Sequence, residues 1–132
     1  MSVSQLSGAG GRRSLKLLIV DDSNIMRRRI ERSQQIEELE VVGTAGNGIE
    51  ALEMFRKTDP DVVTMDLTMP QMDGIECISA LVQLKPAVRI LVISALADKA
   101  TAVEAMERGA NGFLNKPFTD RQLNEAIADL MS

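Results

Sequence analysis

The amino-acid sequence predicts a doubly wound α/β domain with three layers, in which a five-stranded parallel sheet lies between helices. Five short apolar runs alternate with five stretches whose apolar residues recur three and four positions apart, as on one face of a helix. Short β-to-α connections favour parallel strands that are covered by helices on both faces. We therefore expect one folded domain over residues 15–132, preceded by a flexible tail of residues 1–14.

The expected tail, MSVSQLSGAGGRRS, is rich in Ser and Gly and offers little apolar surface to bury. It lacks the apolar core of a signal peptide. No segment of the chain approaches the roughly 18 apolar residues of a membrane span. We expect a cytoplasmic protein that has no contact with a membrane.

The predicted strands are short buried runs, bounded by turn or helix signals. In chain order they are Leu15 to Val20, Glu40 to Ala45, Asp61 to Met65, Arg89 to Ile93 and Gly112 to Asn115. Asn47, Asp73 and Thr119 each stand three residues before a Glu or Gln, the spacing of a capping box at a helix start. Gly109 suits the position just after the end of the fourth helix.

Polar residues stand at the carboxyl ends of four of these apolar runs. They are Asp21, Asp22, Asp66, Ser94 and Lys116. In an open α/β sheet, ligands bind at the carboxyl ends of the strands. The sequence therefore predicts that these five side chains converge on one site.

The chemistry of this set points to a hard divalent cation. Carboxylates about 4 Å apart repel one another by several kcal/mol at an effective dielectric of about 20, so Asp21, Asp22 and Asp66 need a cation among them. Oxygen ligands suggest Mg²⁺, and a chain with no His and one Cys has little from which to build a zinc or haem site. Capping of the following helices is the simpler alternative, but it accounts neither for Lys116 nor for the adjacent acidic pair.

Several other functions are disfavoured. The net charge of −4 lacks the basic footprint that nucleic acids attract, which argues against direct DNA binding. The glycines of GTAGNG do not have dinucleotide-loop spacing, and the chain has no phosphate-binding GxxxxGK[ST] loop. Cys77 lies in a helical pattern, where a small hydrophobe is its usual role.

The motifs together resemble a response-regulator receiver domain. They are VDDS at Val20 to Ser23, TMDLTMPQMDG at Thr64 to Gly74, Ser94 after a buried strand, and NKPF at Asn115 to Phe118. The resemblance covers about Leu15 to Met131 and implies the flavodoxin-like receiver fold. Because no effector domain follows in the sequence, the chain is most similar to single-domain chemotaxis regulators of the CheY type.

The resemblance implies a role for each acidic residue. Asp66 matches the aspartate that accepts a phosphoryl group from a phosphohistidine. Asp21 and Asp22 match the acidic pair that holds Mg²⁺ together with Asp66 and the backbone carbonyl of Thr68.

The same resemblance assigns the remaining site residues. Ser94 matches the hydroxyl that bonds a phosphoryl oxygen after transfer, and Lys116 matches the lysine that pairs with another oxygen. Receivers typically have a cis peptide before the proline that is Pro117 here. Phe113 stands where chemotaxis regulators often have a switch Tyr, so Ser94 and Phe113 are the expected switch pair.

Two positions depart from rapidly dephosphorylating receivers. Thr68 and Leu96, each two residues beyond a site residue, supply no carboxylate or amide to orient an attacking water. Slow self-dephosphorylation is therefore expected.

The expected function is phosphorylation-gated signalling in a two-component system, with no enzymatic activity beyond the module's own phosphorylation and dephosphorylation. The expected phosphodonor is a sensor histidine kinase or a histidine phosphotransfer protein, and the expected output partner is a flagellar motor switch protein. A phosphorelay intermediate and a regulator of another enzyme remain alternatives. A Mg²⁺-dependent aspartyl-phosphate phosphohydrolase is disfavoured, since no second acid or base stands two residues after Asp66 and no cap domain encloses a substrate.

Arg27, Arg28 and Arg29 form the sharpest charge run. A solvated helix face is the default interpretation. Docking of this helix, with Ile25 nearby, against an acidic surface of the histidine-containing phosphodonor is the alternative.

Overall fold

The computed structural model describes residues 14–67, 74–95 and 99–132, and five strands alternate in it with five helices. The strands are β1 Leu15–Val20, β2 Leu39–Ala45, β3 Val62–Met65, β4 Arg89–Ser94 and β5 Gly112–Asn115. The helices are α1 Asn24–Ser33, α2 Gly48–Thr58, α3 Gly74–Leu84, α4 Lys99–Glu107 and α5 Asp120–Met131. This confirms the predicted fold class, and the observed strand ends differ from the predicted ones by one residue at most. Most of the predicted tail lies outside the described residues.

All strand pairs are parallel, and the order in the sheet is β2-β1-β3-β4-β5. The chain therefore moves outward from β1 to β2, returns to the other side of β1 with β3, and continues to β5. In a doubly wound sheet the ligand crevice forms at the point where the strand order reverses. Here that point lies between the carboxyl ends of β1 and β3.

Alternate residues of each central strand face opposite layers, as strand geometry requires. From β1, Leu18 and Val20 pack in a core with α2, α3 and α4, while Leu17 and Ile19 pack in a second core with α1 and α5. Cys77 is buried in the first of these cores, as expected of a small hydrophobe. Burial on both faces explains why β1, β3 and β4 have nearly continuous apolar sequences.

Three of the predicted helix-boundary signals are confirmed. Asn47 accepts from the N–H of Glu50 (2.9 Å), and Thr119 forms a complete capping box with Gln122. Gly109 has a φ of 118°, which favours glycine, in the turn that ends α4. Asp73, the fourth signal, lies outside the described residues.

The end of α4 is a Schellman motif. The N–H of Ala110 donates to the Ala105 carbonyl (3.0 Å), and the N–H of Gly109 donates to the Met106 carbonyl (3.1 Å). These bonds use carbonyls that the helix itself leaves without partners. They direct the chain from α4 into β5.

Candidate functional site

The carboxyl ends of β1 and β3 carry two of the predicted acidic residues side by side. Asp21 directly follows β1, and its N–H donates to the Ala45 carbonyl (3.0 Å). Asp66 directly follows β3, and its N–H donates to the Val20 carbonyl (3.0 Å). Both residues are buried, with exposures of 1% and 3%, whereas Asp22 is exposed. Sheet hydrogen bonding therefore sets the positions of the two buried aspartates.

Asp21, Asp22 and Asp66 form one acidic cluster, in which one carboxylate oxygen from each residue lies within 4.8 Å of the others. Two unit charges at that spacing repel by about 3 kcal/mol at an effective dielectric of about 20. Carboxylate oxygens are hard donors of the kind that Mg²⁺ prefers, and the cluster contains no sulfur or imidazole. The donor set therefore fits Mg²⁺.

Lys116 supplies the positive charge beside this cluster. Its Nζ lies 2.8 Å from Asp21 Oδ2 and 4.0 Å from Asp66 Oδ2. Its backbone N–H donates to the carbonyl of Ser94 (2.9 Å), the buried last residue of β4. The Lys116–Pro117 peptide is cis, as the resemblance to receiver domains implied. The structure thus brings the lysine to the aspartates and places Ser94 at the same edge of the sheet.

Ser23 has a role that the sequence reasoning did not assign. Its N–H donates to Asp21 Oδ1 (2.9 Å), and its hydroxyl accepts from the N–H of Met26 (3.2 Å) at the start of α1. With Lys116 on Oδ2, both oxygens of the Asp21 carboxylate have a protein donor. Asp21 is therefore held in one orientation.

Gly74 is a second missed residue. A Cβ at this position would lie 2.5 Å from the carbonyl oxygen of Asp66 and 2.5 Å from the Cα of Leu67. The first turn of α3 thus packs directly on the backbone that carries Asp66. The sequence signal that could have identified it is a glycine in the first turn of a helix, where Ala is the better helix former.

The arginine run is only partly the solvated face that was expected. Arg28 is exposed. Arg27 donates to the backbone carbonyl of Asp21 and to the side chain of Asn24. Arg29 donates to the carbonyl of Phe118, beyond Lys116. Two of the three guanidinium groups therefore bind the loops that carry the site.

Other predicted residues are placed less directly. Phe113 lies opposite Val92 in the β4–β5 pair, is partly buried, and packs against the core beneath α2, α3 and α4. Thr68 and Leu96 lie outside the described residues, so the Thr68 carbonyl and the expected lack of water-orienting groups stay predictions.

The model of the response regulator receiver domain family matches residues 17–128. The chain belongs to this family. It is thus a CheY-like receiver domain of a two-component response regulator, a type of signalling module. Receiver domains generally bind Mg²⁺, and the acidic cluster is a group that could hold it.

Individual relatives agree with this assignment. The chemotaxis protein CheY of Listeria monocytogenes is 39% identical over 113 residues, which cover 86% of this chain and 95% of that protein. The receiver is also 46% identical over 123 residues to a protein-glutamate methylesterase/protein-glutamine glutaminase of Pseudoalteromonas atlantica; the match covers 89% of this chain and 32% of that protein.

Among solved structures, the CheX–CheY complex of Borrelia burgdorferi with BeF3 and Mg²⁺ has a TM-score of 0.86 and 29% identity, and the match covers 91% of each chain. This similarity agrees with the observed strand order and with the five-helix architecture of the receiver. In the part of the chain that the structure describes, no helix is both long enough and apolar enough to span a membrane.

Proposed function

We propose that this receiver is a phosphorylation-gated switch that accepts a phosphoryl group on Asp66. The phosphodonor is the phosphohistidine of a sensor histidine kinase or of a histidine phosphotransfer protein. The observation that carries the proposal is the position of the buried Asp66 carboxylate, which shares a cluster with two other carboxylates and lies 4.0 Å from the Lys116 ammonium. Burial of this many charges at one sheet edge is costly for the fold and points to a functional role.

The chemistry follows from charge. An oxygen of Asp66 attacks phosphorus, the phosphorus–nitrogen bond breaks, and the imidazole leaves with the electron pair, so that an acyl phosphate remains. A carboxylate and a phosphoryl group repel each other, so the site must supply positive charge and positioning. Asp21, Asp22, Asp66 and the Thr68 carbonyl would hold Mg²⁺, which when bound neutralises charge on the phosphoryl oxygens.

Lys116 has a second task in this scheme. In the unphosphorylated protein its ammonium is bonded to Asp21 (2.8 Å) and is farther from Asp66 (4.0 Å). After transfer, a phosphoryl oxygen on Asp66 competes with Asp21 for this ammonium. The hydroxyl of Ser94 binds another oxygen, and Phe113 follows Ser94 inward, which reshapes the surface around β5. This change shifts partner affinity because the phosphoryl group favours one arrangement over the other.

The direct test is phosphorylation by acetyl phosphate in the presence of Mg²⁺, measured by intact-protein mass spectrometry. The wild type should gain one phosphoryl group, and Asp66→Asn should gain none. Asp61→Asn, which changes an aspartate near the opposite end of β3, is the matched control and should label like the wild type. Undiminished labelling of Asp66→Asn would refute the assignment.

The proposed output is control of the flagellar motor through a motor switch protein, a function supported by identity to curated chemotaxis proteins. A second candidate output is control of an enzyme, favoured by the 46% identity to the receiver part of a methylesterase. The two are separated by measuring the affinity of the beryllofluoride-bound receiver for a motor switch protein and for a methylesterase catalytic domain of the same organism. Phe113→Ala should reduce the gain in affinity for the true partner that beryllofluoride produces. An equal gain in affinity for the wild type and for Phe113→Ala would exclude Phe113 as the coupling residue.

A further inference from the structure

Arg29, on α1, reaches across the molecule to the loop between β5 and α5. Its Nη2 donates to the backbone carbonyl of Phe118 (2.5 Å), and its Cζ lies 4.4 Å from the centroid of the Phe118 ring. It also lies 3.6 Å from Asp120 Oδ1. One guanidinium therefore contacts both the backbone and the ring of the same residue.

This loop carries Lys116, and its two sides are held by different elements. On the upstream side, the Lys116 N–H donates to the Ser94 carbonyl of β4. On the downstream side, Phe118 is buried, with 4% exposure, and its carbonyl is the one that Arg29 holds. Because the lysine side chain is long and flexible, the reach of its ammonium depends on where the loop holds its Cα.

We propose that Arg29 is a positioning residue for Lys116. By holding Phe118 against α1, it keeps the loop where the ammonium reaches Asp21 and Asp66. The proposal rests on the phosphoryl transfer to Asp66 proposed above. Arg29 would then act within the functional site, a role that differs from both a solvated helix face and a docking surface.

The contacts of Arg29 differ in what they contribute. The Asp120 side chain is 59% exposed, so solvent screens that ion pair and it adds little. The bond to the Phe118 carbonyl is charge-assisted, and the Arg29 side chain is only 32% exposed, which strengthens both this bond and the ring contact. The contact with Phe118 is therefore the one that positions the loop.

The first experiment compares Arg29→Met with Arg28→Met, which removes the same charge from the exposed neighbouring position. The rate of phosphorylation by acetyl phosphate is measured at saturating Mg²⁺, because a small donor needs no kinase-docking surface. Arg29→Met should react about tenfold more slowly, since a misplacement of about 1 Å in a reacting group costs up to about a hundredfold. Arg28→Met should keep the wild-type rate. An unchanged rate for Arg29→Met would overturn the proposal.

The second experiment asks whether Arg29 acts through Lys116. Once the ammonium is removed by Lys116→Met, a residue that only positions it has no further effect, so Arg29→Met should not slow that variant further. A general structural role would instead give the same loss in both backgrounds, and that result would overturn the assignment.

Arg29→Lys keeps the charge and one donor but not the planar stack, and it should show a smaller loss than Met. It allows the same cycle if the Met variant does not fold, with the same outcomes deciding. A wild type that acetyl phosphate does not label would instead refute the proposed function, and this assignment with it.

Discussion

A lysine lies among aspartates both at the carboxyl edge of the sheet, where the parallel strands end, and at the amino edge, where they begin. The two clusters differ in charge balance and burial. At the carboxyl edge, Lys116 faces three carboxylates, of which those of Asp21 and Asp66 are buried. At the amino edge, Lys85 Nζ lies 3.1 Å from Asp59 Oδ1 and 3.4 Å from Asp61 Oδ1. The first cluster has the larger excess of negative charge and the deeper burial.

The charges of the amino-edge cluster are satisfied by neighbouring protein groups and by solvent. Lys85 Nζ also donates to the Pro60 carbonyl (2.9 Å), and the second oxygen of Asp61 accepts the N–H of Lys16 (2.9 Å). The Asp59 side chain is 75% exposed, so water solvates much of its charge. This cluster ties the ends of β1, β3 and α3 together and needs no ligand.

The difference in burial and charge balance distinguishes a candidate functional site from a structural contact. A partly solvated cluster with a small charge excess contributes to stability, whereas buried carboxylates in excess of their cation are costly for the fold and favour the binding of a cationic ligand. A lysine beside aspartates is found in both kinds of cluster and therefore does not distinguish them. The number of buried carboxylates relative to cations distinguishes the functional site from the structural contact.

Separate substitution of the two lysines should show the largest difference between the two clusters. Lys116→Met should slow phosphorylation by acetyl phosphate about a hundredfold, the usual cost of losing one group that stabilises a charged transition state. Lys85→Met should leave that rate unchanged and lower the free energy of unfolding by about 1 kcal/mol. Intact-protein mass spectrometry measures the phosphorylation rates, and urea unfolding measures the free energies of unfolding. Equal rates for the two variants would contradict the assignment of function to the carboxyl edge.

Substitution of two glycines, Gly74 and Gly43, tests whether close backbone packing matters at the site. Gly74→Ala would press a Cβ onto the Asp66 backbone at 2.5 Å, and we expect it to destabilise the protein by about 2 kcal/mol and to slow phosphorylation. Gly43→Ala, in β2, would place a Cβ 2.3 Å from the flexible end of Met54, which can move aside, and at an ordinary contact distance of 3.6 Å from Leu18 Cδ1. It should change stability much less and leave phosphorylation intact. Urea unfolding and labelling of the two variants provide the measurement, and an equal loss in both would argue against close packing of α3 on the site.

Magnesium should distinguish the two clusters by stability. The free energy of unfolding should rise by about 1.4 kcal/mol at roughly ten times the Kd of Mg²⁺, since a ligand that binds only the native state stabilises by mass action. Asp22→Asn should lose most of this gain because it removes one of the three negative charges that attract the cation. Asp61→Asn, at the amino edge, should retain it. Thermal unfolding with and without Mg²⁺ tests this, and a gain that survives Asp22→Asn but not Asp61→Asn would place the metal at the wrong edge.

Local patterns were sufficient to predict the fold and the candidate site. Apolar periodicity identified five strands and five helices because strands and helices have different repeats. The acidic pair, Asp66 and Lys116 were expected to meet because parallel strands share a carboxyl edge, and the structure brings them within 4.8 Å or less of a neighbour in the site. Asn47 and Thr119 were predicted as caps from their spacing, since capping is a short-range interaction.

Other features depended on contacts between residues far apart in sequence. The sequence did not show that Lys116 lies closer to Asp21 than to Asp66, because that choice depends on strand order and on the path of the β5–α5 loop. Nor did it show which arginines of the run would be bound, since Arg28 and Arg29 have the same chemistry and differ only in the face of α1 that they occupy.

The sequence by itself thus determined the elements, their alternation and the edge at which the charged residues gather, because each follows from a local repeat or from strand polarity. Tertiary structure alone decided the pairing of Lys116 with Asp21, the packing of Gly74 on the Asp66 backbone and the contact of Arg29 with Phe118. The physical reason is distance along the chain. Arg29 and Phe118 are 89 positions apart, and only the packing of α1 beside α5 on one face of the sheet brings them together.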